Sequence, residues 1–193
     1  MPKYTVKFYT GDYGFRQRSA NKDKALCYIE QHFNAAASPN ANYCLAVTGS
    51  NASQKSINMA ASYVDAVETY LGIPKWSGGK PKGVAIGGIS GRGDSNLIYT
   101  NMPAVLLEPL FVTTPAHVYM LKERTNLLAV CVVDMVREHF PNGGLIGFSI
   151  GHKGKSSNPK DRGAAVYGGG TEADFAEMVL NIAKALLERD IHA

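Results

Sequence analysis

The chain has 193 residues, 45% of them hydrophobic and 19% charged, and a formal net charge of +4. That length and mix fit one soluble globular domain, whose core needs neither disulfides nor a structural metal, so any bound metal is expected to be catalytic. The positive charge favours anionic partners. However, the basic residues are scattered, with no dense Lys/Arg run and no aromatic–basic alternation, which argues against nucleic acid. The longest apolar runs are also too short to cross a bilayer, so membrane insertion is not expected.

Residues 4–9 (Tyr-Thr-Val-Lys-Phe-Tyr) are rich in β-branched and aromatic side chains and predict a strand. A short helix is expected over 14–23, then strands over 25–31 and 43–48. From 53 to 71, Ile57, Ala60, Ala61, Val64, Val67 and Leu71 recur at helical spacing. A glycine-rich segment over 77–96 follows, interrupted by Val84-Ala85-Ile86. It lacks the Lys-Ser/Thr ending of a phosphate-binding loop and is expected to be a mobile loop beside a groove. Its Arg92-Gly93-Asp94 is read as an accidental adhesion tripeptide. The fully apolar run 104–107 predicts a strand in the middle of a sheet.

A second long helix is expected from Pro115, capped by Thr114, to about Phe140. Pro141-Asn142-Gly143-Gly144 is a turn signal. After it come a strand over 145–150, a polar glycine-rich loop, and a last helix from Thr171 to about Arg189. In that helix Phe175, Val179, Ile182 and Leu186 share one face, and Thr171 with Asp174 suggests a capping box. Strands and helices alternate, so the expected fold is a three-layer α/β sandwich, a central twisted mixed sheet with helices on both faces. No repeat or composition break divides the chain, and residues 1–193 read as one domain.

Cys27, Cys44 and Cys131 are odd in number, far apart and set in apolar runs, as expected of reduced core cysteines made in a reducing compartment. No apolar stretch follows Lys3, so no signal peptide is expected and the product is synthesised in the cytoplasm.

Three chemically capable residues stand just beyond strand-like runs: His32 after 25–31, Glu108 after 104–107 and His152 after 145–150. Functional groups gather at the carboxyl ends of strands in open α/β sheets. Glu172 falls in the first turn of the last helix, where free N–H groups and the helix dipole favour an ionised carboxylate. Two imidazoles and a carboxylate suit a zinc site with its fourth position open for water. Spacing alone does not bring the four together, no HExxH motif is present, and a lone polar residue at a strand end is more often just an edge residue.

The stretch 145–155 with its Gly151-His152, the segment Asp161-Arg-Gly-Ala164 and the helix start Thr171-Glu172 resemble the opening of the zinc N-acetylmuramoyl-L-alanine amidases of type 3. Arg16-Gln-Arg18-Ser-Ala-Asn21 and His32-Phe-Asn34-Ala35 are similar to that family's middle. Met102-Pro-Ala-Val-Leu-Leu-Glu108-Pro-Leu-Phe111 is similar to its late Pro-Ala-Val-Leu-x-Glu-x-Gly-Phe motif. The order differs: residues 145–193 resemble the family's beginning and residues 1–140 its later portion, with 141–144 as a linker. One cut and one rejoin restore the family order, so the resemblance implies a circularly permuted domain. A four-residue bridge spans at most about 13 Å. Three departures stand out. The family's Asp before its first Gly-His region is missing, with Ser149 nearby, Glu30 stands where it has a Ser, and Leu110 where it has a Gly; Glu30 and Leu110 are expected to alter the pocket.

The resemblance implies that His32, His152 and Glu172 bind Zn2+ and that Glu108 passes the proton of a zinc-activated water. The implied substrate is peptidoglycan, cut between N-acetylmuramic acid and L-alanine. Asn34 either orients substrate or braces the His32 loop. Arg16 and Arg18 are expected to be helix-surface or packing groups, and His117, His139 and His192 plain surface residues. The alternatives are a zinc peptidase acting on the stem peptide and a non-catalytic wall-binding domain. The architecture fits a phage endolysin reaching the wall after release, or a protein carried out by a separate export route.

Overall fold

A computed structural model of the protein describes residues 3–189. The strand-like runs pair into one six-stranded sheet. Its strands are β1 (Tyr4–Phe8), β2 (Cys27–Gln31), β3 (Leu45–Thr48), β4 (Val84–Ile86), β5 (Ala104–Glu108) and β6 (Gly144–Ile150). The helices are α1 (Tyr13–Lys22), α2 (Gln54–Leu71), α3 (Pro115–His139) and α4 (Glu172–Glu188), with one 3-10 turn at Asp94–Asn96. The order across the sheet is β1-β6-β2-β5-β3-β4. The first four strands in that order run parallel, and β3 turns antiparallel to β5 while β4 runs parallel to β3. This is the mixed α/β sheet that the alternation of elements predicts.

Strands with neighbours on both sides and layers on both faces are largely apolar. All residues of β2 and β3 are buried, as is β5 up to Leu107. Val105 and Leu107 point to one face, where α2, α3 and α4 pack. Ala104 and Leu106 point to the other, under α1 and the 3-10 turn. Cys27, Cys44 and Cys131 are buried and unpaired, as core cysteines should be.

Helix α2 has the expected span, and the other helices differ from expectation in detail. Helix α2 starts on Ser53, whose Oγ accepts from Ser56 N at 3.2 Å, and ends on the left-handed Gly72 at φ +69°. Helix α3 starts at Pro115, but Thr114 does not cap it; its hydroxyl donates to Ala41 O at 3.0 Å instead. Helix α3 also bends at Arg124, whose backbone leaves the helical region. In α4 the buried stripe is centred on Ala173, Ala176, Val179, Leu180, Ala183 and Leu187. Phe175, Ile182 and Leu186 flank it, only partly buried. The small alanines let α4 lie close to the sheet, so the larger side chains move to its shoulders. The Asp174 carboxylate accepts both the N–H and the hydroxyl of Thr171, closing the N-terminal turn that carries Glu172.

Candidate metal centre

Three parallel neighbours, β6, β2 and β5, end side by side, and His152, His32 and Glu108 stand at those ends. Glu172 opens α4 beside them. One donor atom from each of His32, His152 and Glu172 lies within 4.8 Å of the others. The His32 Nδ1 is 3.0 Å and the His152 Nε2 3.3 Å from the same oxygen, Glu172 Oε1. The two imidazoles meet edge to face, with ring centroids 4.9 Å apart.

The backbone is shaped to allow this crowding. A Cβ on Gly151 would fall 2.6 Å from the His32 ring. One on Gly163, at φ +74°, would lie 2.5 Å from Glu172 Oε2 and 2.7 Å from His152. Neither position admits a side chain without moving a candidate ligand.

Hydrogen bonds fix each group from behind. Glu172 Oε1 also accepts from Phe33 N at 3.1 Å, and Oε2 accepts from Ala164 N at 3.1 Å. Burial works against its charge, but hydrogen bonds to His152 and His32 prevail and hold the carboxyl below the usual range. His32 is likewise opposed by burial, yet its bonds to Glu172 and Glu30 push it up to about 10. The His152 Nδ1 is 2.9 Å from Asp161 Oδ1, and Asp161 accepts further from Gly163 N at 3.0 Å and Lys155 Nζ at 2.7 Å.

Glu108 lines the same cleft, about 910 Å³ in volume, with His32, His152 and Glu172. Its carboxyl is raised, chiefly by burial, with the charge of Glu172 adding to the shift against His32 and His152. The glycine-rich loop forms one wall through Ile89, Ser90 and Arg92. Asn34 also faces the cleft, but its side chain donates to Glu108 O at 3.4 Å and its backbone pairs beside Phe111.

Several residues sit differently from expectation. Of the two arginines expected to be surface or packing groups, Arg16 is the packing one, fully buried and ion-paired to Glu30, and Arg18 the surface one. Losing one partner of a buried pair costs about 3–5 kcal/mol, so Arg16 and Glu30 stand or fall together. His117 is also buried, accepting from Phe111 N at 3.0 Å and meeting Asn42 Oδ1 at 2.9 Å. His139 is half-buried and bonds Ser62, while His192 lies outside the described residues. Leu110 is fully buried in the core and does not line the cleft, and Glu30 lies beneath His32 rather than in it. Sequence reasoning missed the supporting roles of Asp161, Glu30 and Asn96. The one available signal was a charged residue, Glu30, inside a largely apolar strand, which demands a buried partner.

An α/β sheet with two imidazoles at its strand ends and a carboxylate at a neighbouring helix start has the donor set of an open, single-metal hydrolytic site. Residues 9–138 match the sequence profile of the type 3 N-acetylmuramoyl-L-alanine amidases, and the chain belongs to that family. The match contains His32 and Glu108 and stops before His152 and Glu172.

Among solved structures, the chain is similar to the catalytic domain of CwlV, an N-acetylmuramoyl-L-alanine amidase from Bacillus (Paenibacillus) polymyxa var. colistinus. Identity is 22% and the TM-score 0.55, over 68% of this chain and 66% of that one. It is also similar to an N-acetylmuramoyl-L-alanine amidase from Clostridium difficile 630, with 20% identity and a TM-score of 0.56 over 67% and 66% of the two chains. The chain thus spans just under two thirds of the length of these structures. No curated protein matches it.

Proposed function

We propose that the protein is a zinc-dependent peptidoglycan amidase that hydrolyses the bond between N-acetylmuramic acid and the L-alanine of the stem peptide. The observation that carries this is the convergence of His32, His152 and Glu172 on one point beside Glu108 in an open cleft. Two imidazole nitrogens and a carboxylate oxygen fit a zinc ion by donor type, and their hydrogen-bonded surroundings keep all three in place. Zinc held there lowers the pKa of a water and polarises a carbonyl, which is the chemistry amide hydrolysis requires. Glu108 takes the proton of the attacking water as the C–O bond forms. It returns a proton to the alanine nitrogen as the C–N bond breaks, leaving a muramic carboxylate and a free amine. Family membership supports this reading, and the net charge of +4 favours approach to anionic walls at low salt. Delivery to the wall as a lysin belongs to the same proposal.

Product analysis tests it. Purified walls treated with the zinc-loaded protein should release free L-alanine amines while the glycan chains stay intact. New amines on other stem residues would make it a peptidase, and no lysis with no metal uptake would make it a wall binder.

The circular order is part of the proposal. The family match ends at residue 138, whereas β6 and α4 fill the sheet and helix layer and carry His152 and Glu172. Strand β6, helix α4 and strand β1 form a β-α-β unit although β1 is not connected to α4. Glu188 Oε1 accepts from Val6 N at 3.0 Å, and Lys184 Nζ donates to Val6 O at 3.0 Å. A re-permuted chain should therefore fold and bind zinc within a fewfold of the parent. It would begin at Gly143, join Ala193 to Met1 through a flexible linker and end at Phe140. A chain of that order that fails to fold with any linker length overturns the permutation.

A further inference from the structure

Glu30 is buried beneath the candidate ligands and does not reach the cleft. Its Oε1 lies 2.7 Å from His32 Nε2, accepts from Asn96 Nδ2 at 2.6 Å and pairs with Arg16 Nη2. Its Oε2 accepts from the Tyr28 hydroxyl at 3.0 Å. The carboxylate is thus held by α1, the 3-10 turn and its own strand at once, and cannot swing away from the imidazole. An ionised carboxylate only accepts, so the ring nitrogen facing it must carry a proton. Of the two nitrogens, Nδ1 is the one turned toward Glu172 and His152, so a metal bound among them displaces the proton that Nδ1 otherwise shares with Glu172 and takes its lone pair, while Nε2 stays on Glu30. Asp161 imposes the reverse on His152, engaging Nδ1 and leaving Nε2 toward Glu172.

We infer that Glu30 is a positioning residue for zinc binding: clamped by Arg16 and Asn96, it fixes His32 in the tautomer that offers Nδ1 to the metal. The two ligand histidines then bind through opposite ring nitrogens. This rests on the zinc amidase reading and adds to it a support built from elements far from the cleft.

The test uses 15N-labelled protein loaded with Zn2+. Long-range 1H–15N spectra should show His32 protonated at Nε2 and metal-bound at Nδ1, and His152 the other way round. His32 bound through Nε2 overturns the inference, and this needs no variant. Zinc affinity, read by competition with a chromophoric chelator, gives the second arm. The paired variant R16M/E30M removes both charges, so neither is left orphaned. It should fold and bind zinc about 10–100-fold more weakly, the usual loss when a ligand's hydrogen-bond partner is removed. Unchanged affinity in the folded double variant overturns the role of Glu30 while leaving the zinc site intact. A parent protein that takes up no Zn2+ overturns the zinc reading itself, and the inference with it.

Discussion

Glu108→Gln is expected to fold, take up zinc as tightly as the parent and hydrolyse peptidoglycan about 10²–10⁴-fold more slowly, the usual contribution of a positioned acid–base group. The side chain projects from the end of β5 into the cleft, and no hydrogen bond or ion pair engages its carboxylate among the described residues. The amide therefore strands no partner, and the melting temperature should barely move. Burial has already raised the proton affinity of Glu108, which suits a group that must take a proton and give it back. A glutamine cannot do either. The measurement is a turnover rate on purified walls, alongside zinc content and thermal unfolding of the same preparation. Near-normal hydrolysis by this variant would remove Glu108 from the proton path.

Glu172→Gln should fail in a different manner, losing metal and stability together. Each carboxylate oxygen accepts a backbone N–H, from Phe33 on one side and Ala164 on the other. Either orientation of the amide sets an NH2 group against one of them, at a cost of about 1–3 kcal/mol for the unmet buried donor. Zinc affinity should fall beyond the 10–100-fold typical of outer-sphere losses, because a ligand itself is altered. In the parent, zinc at a thousand times its Kd adds about 4 kcal/mol to stability; in the variant, the zinc-induced rise in Tm should vanish.

The metal-free parent has a pH signature of its own. The carboxyl of Glu172 is depressed on folding, so its contribution is whole above the ordinary carboxylate range and drains away as pH falls below it. His32 is raised to about 10, so its contribution is whole below its unfolded value near 6.5 and lost as pH rises through 10. Stability without metal should peak between these limits, and Glu172→Gln should flatten that peak. A variant that still gains a full Tm shift from zinc would exclude Glu172 as a ligand.

The sheet and the strand-end groups were legible in the sequence because both rest on local pattern. An apolar run closed by His32, Glu108 or His152 names a strand and what stands at its end. The parallel order then brings those ends together. Helix α1 was harder. Its sequence, Tyr-Gly-Phe-Arg-Gln-Arg-Ser-Ala-Asn-Lys, has almost no amphipathic pattern, yet Arg16 and Gln17 are buried. Arg16 is inside because Glu30 is there to receive it, and that partnership spans two elements and has no periodicity to announce it. His117 was misread for a similar reason: one partner, Phe111 N, lies in the turn leading into its own helix, but the other, Asn42, belongs to a loop that only the fold brings near. The stripe of α4 was misjudged by about one helical position because large side chains were weighted over alanines, whereas close packing on a sheet favours the small ones.

The two departures at Glu30 and Ser149 are neighbours in the fold. The strands pair them directly, residue against residue, across β2 and β6. A change at one therefore falls on the other, and substitutions at either site are best made jointly.

Strand β6 sits between β1 and β2 but is synthesised after every other described strand. On the ribosome, β1 and β2 are made before β6 and cannot pair through their proper neighbour until residues 144–150 follow. The chain beyond them delivers His152 and Glu172. A nascent chain thus holds His32 and Glu108 on an unfinished sheet, and the candidate metal centre comes into being only once β6 and α4 are made, when the sheet closes.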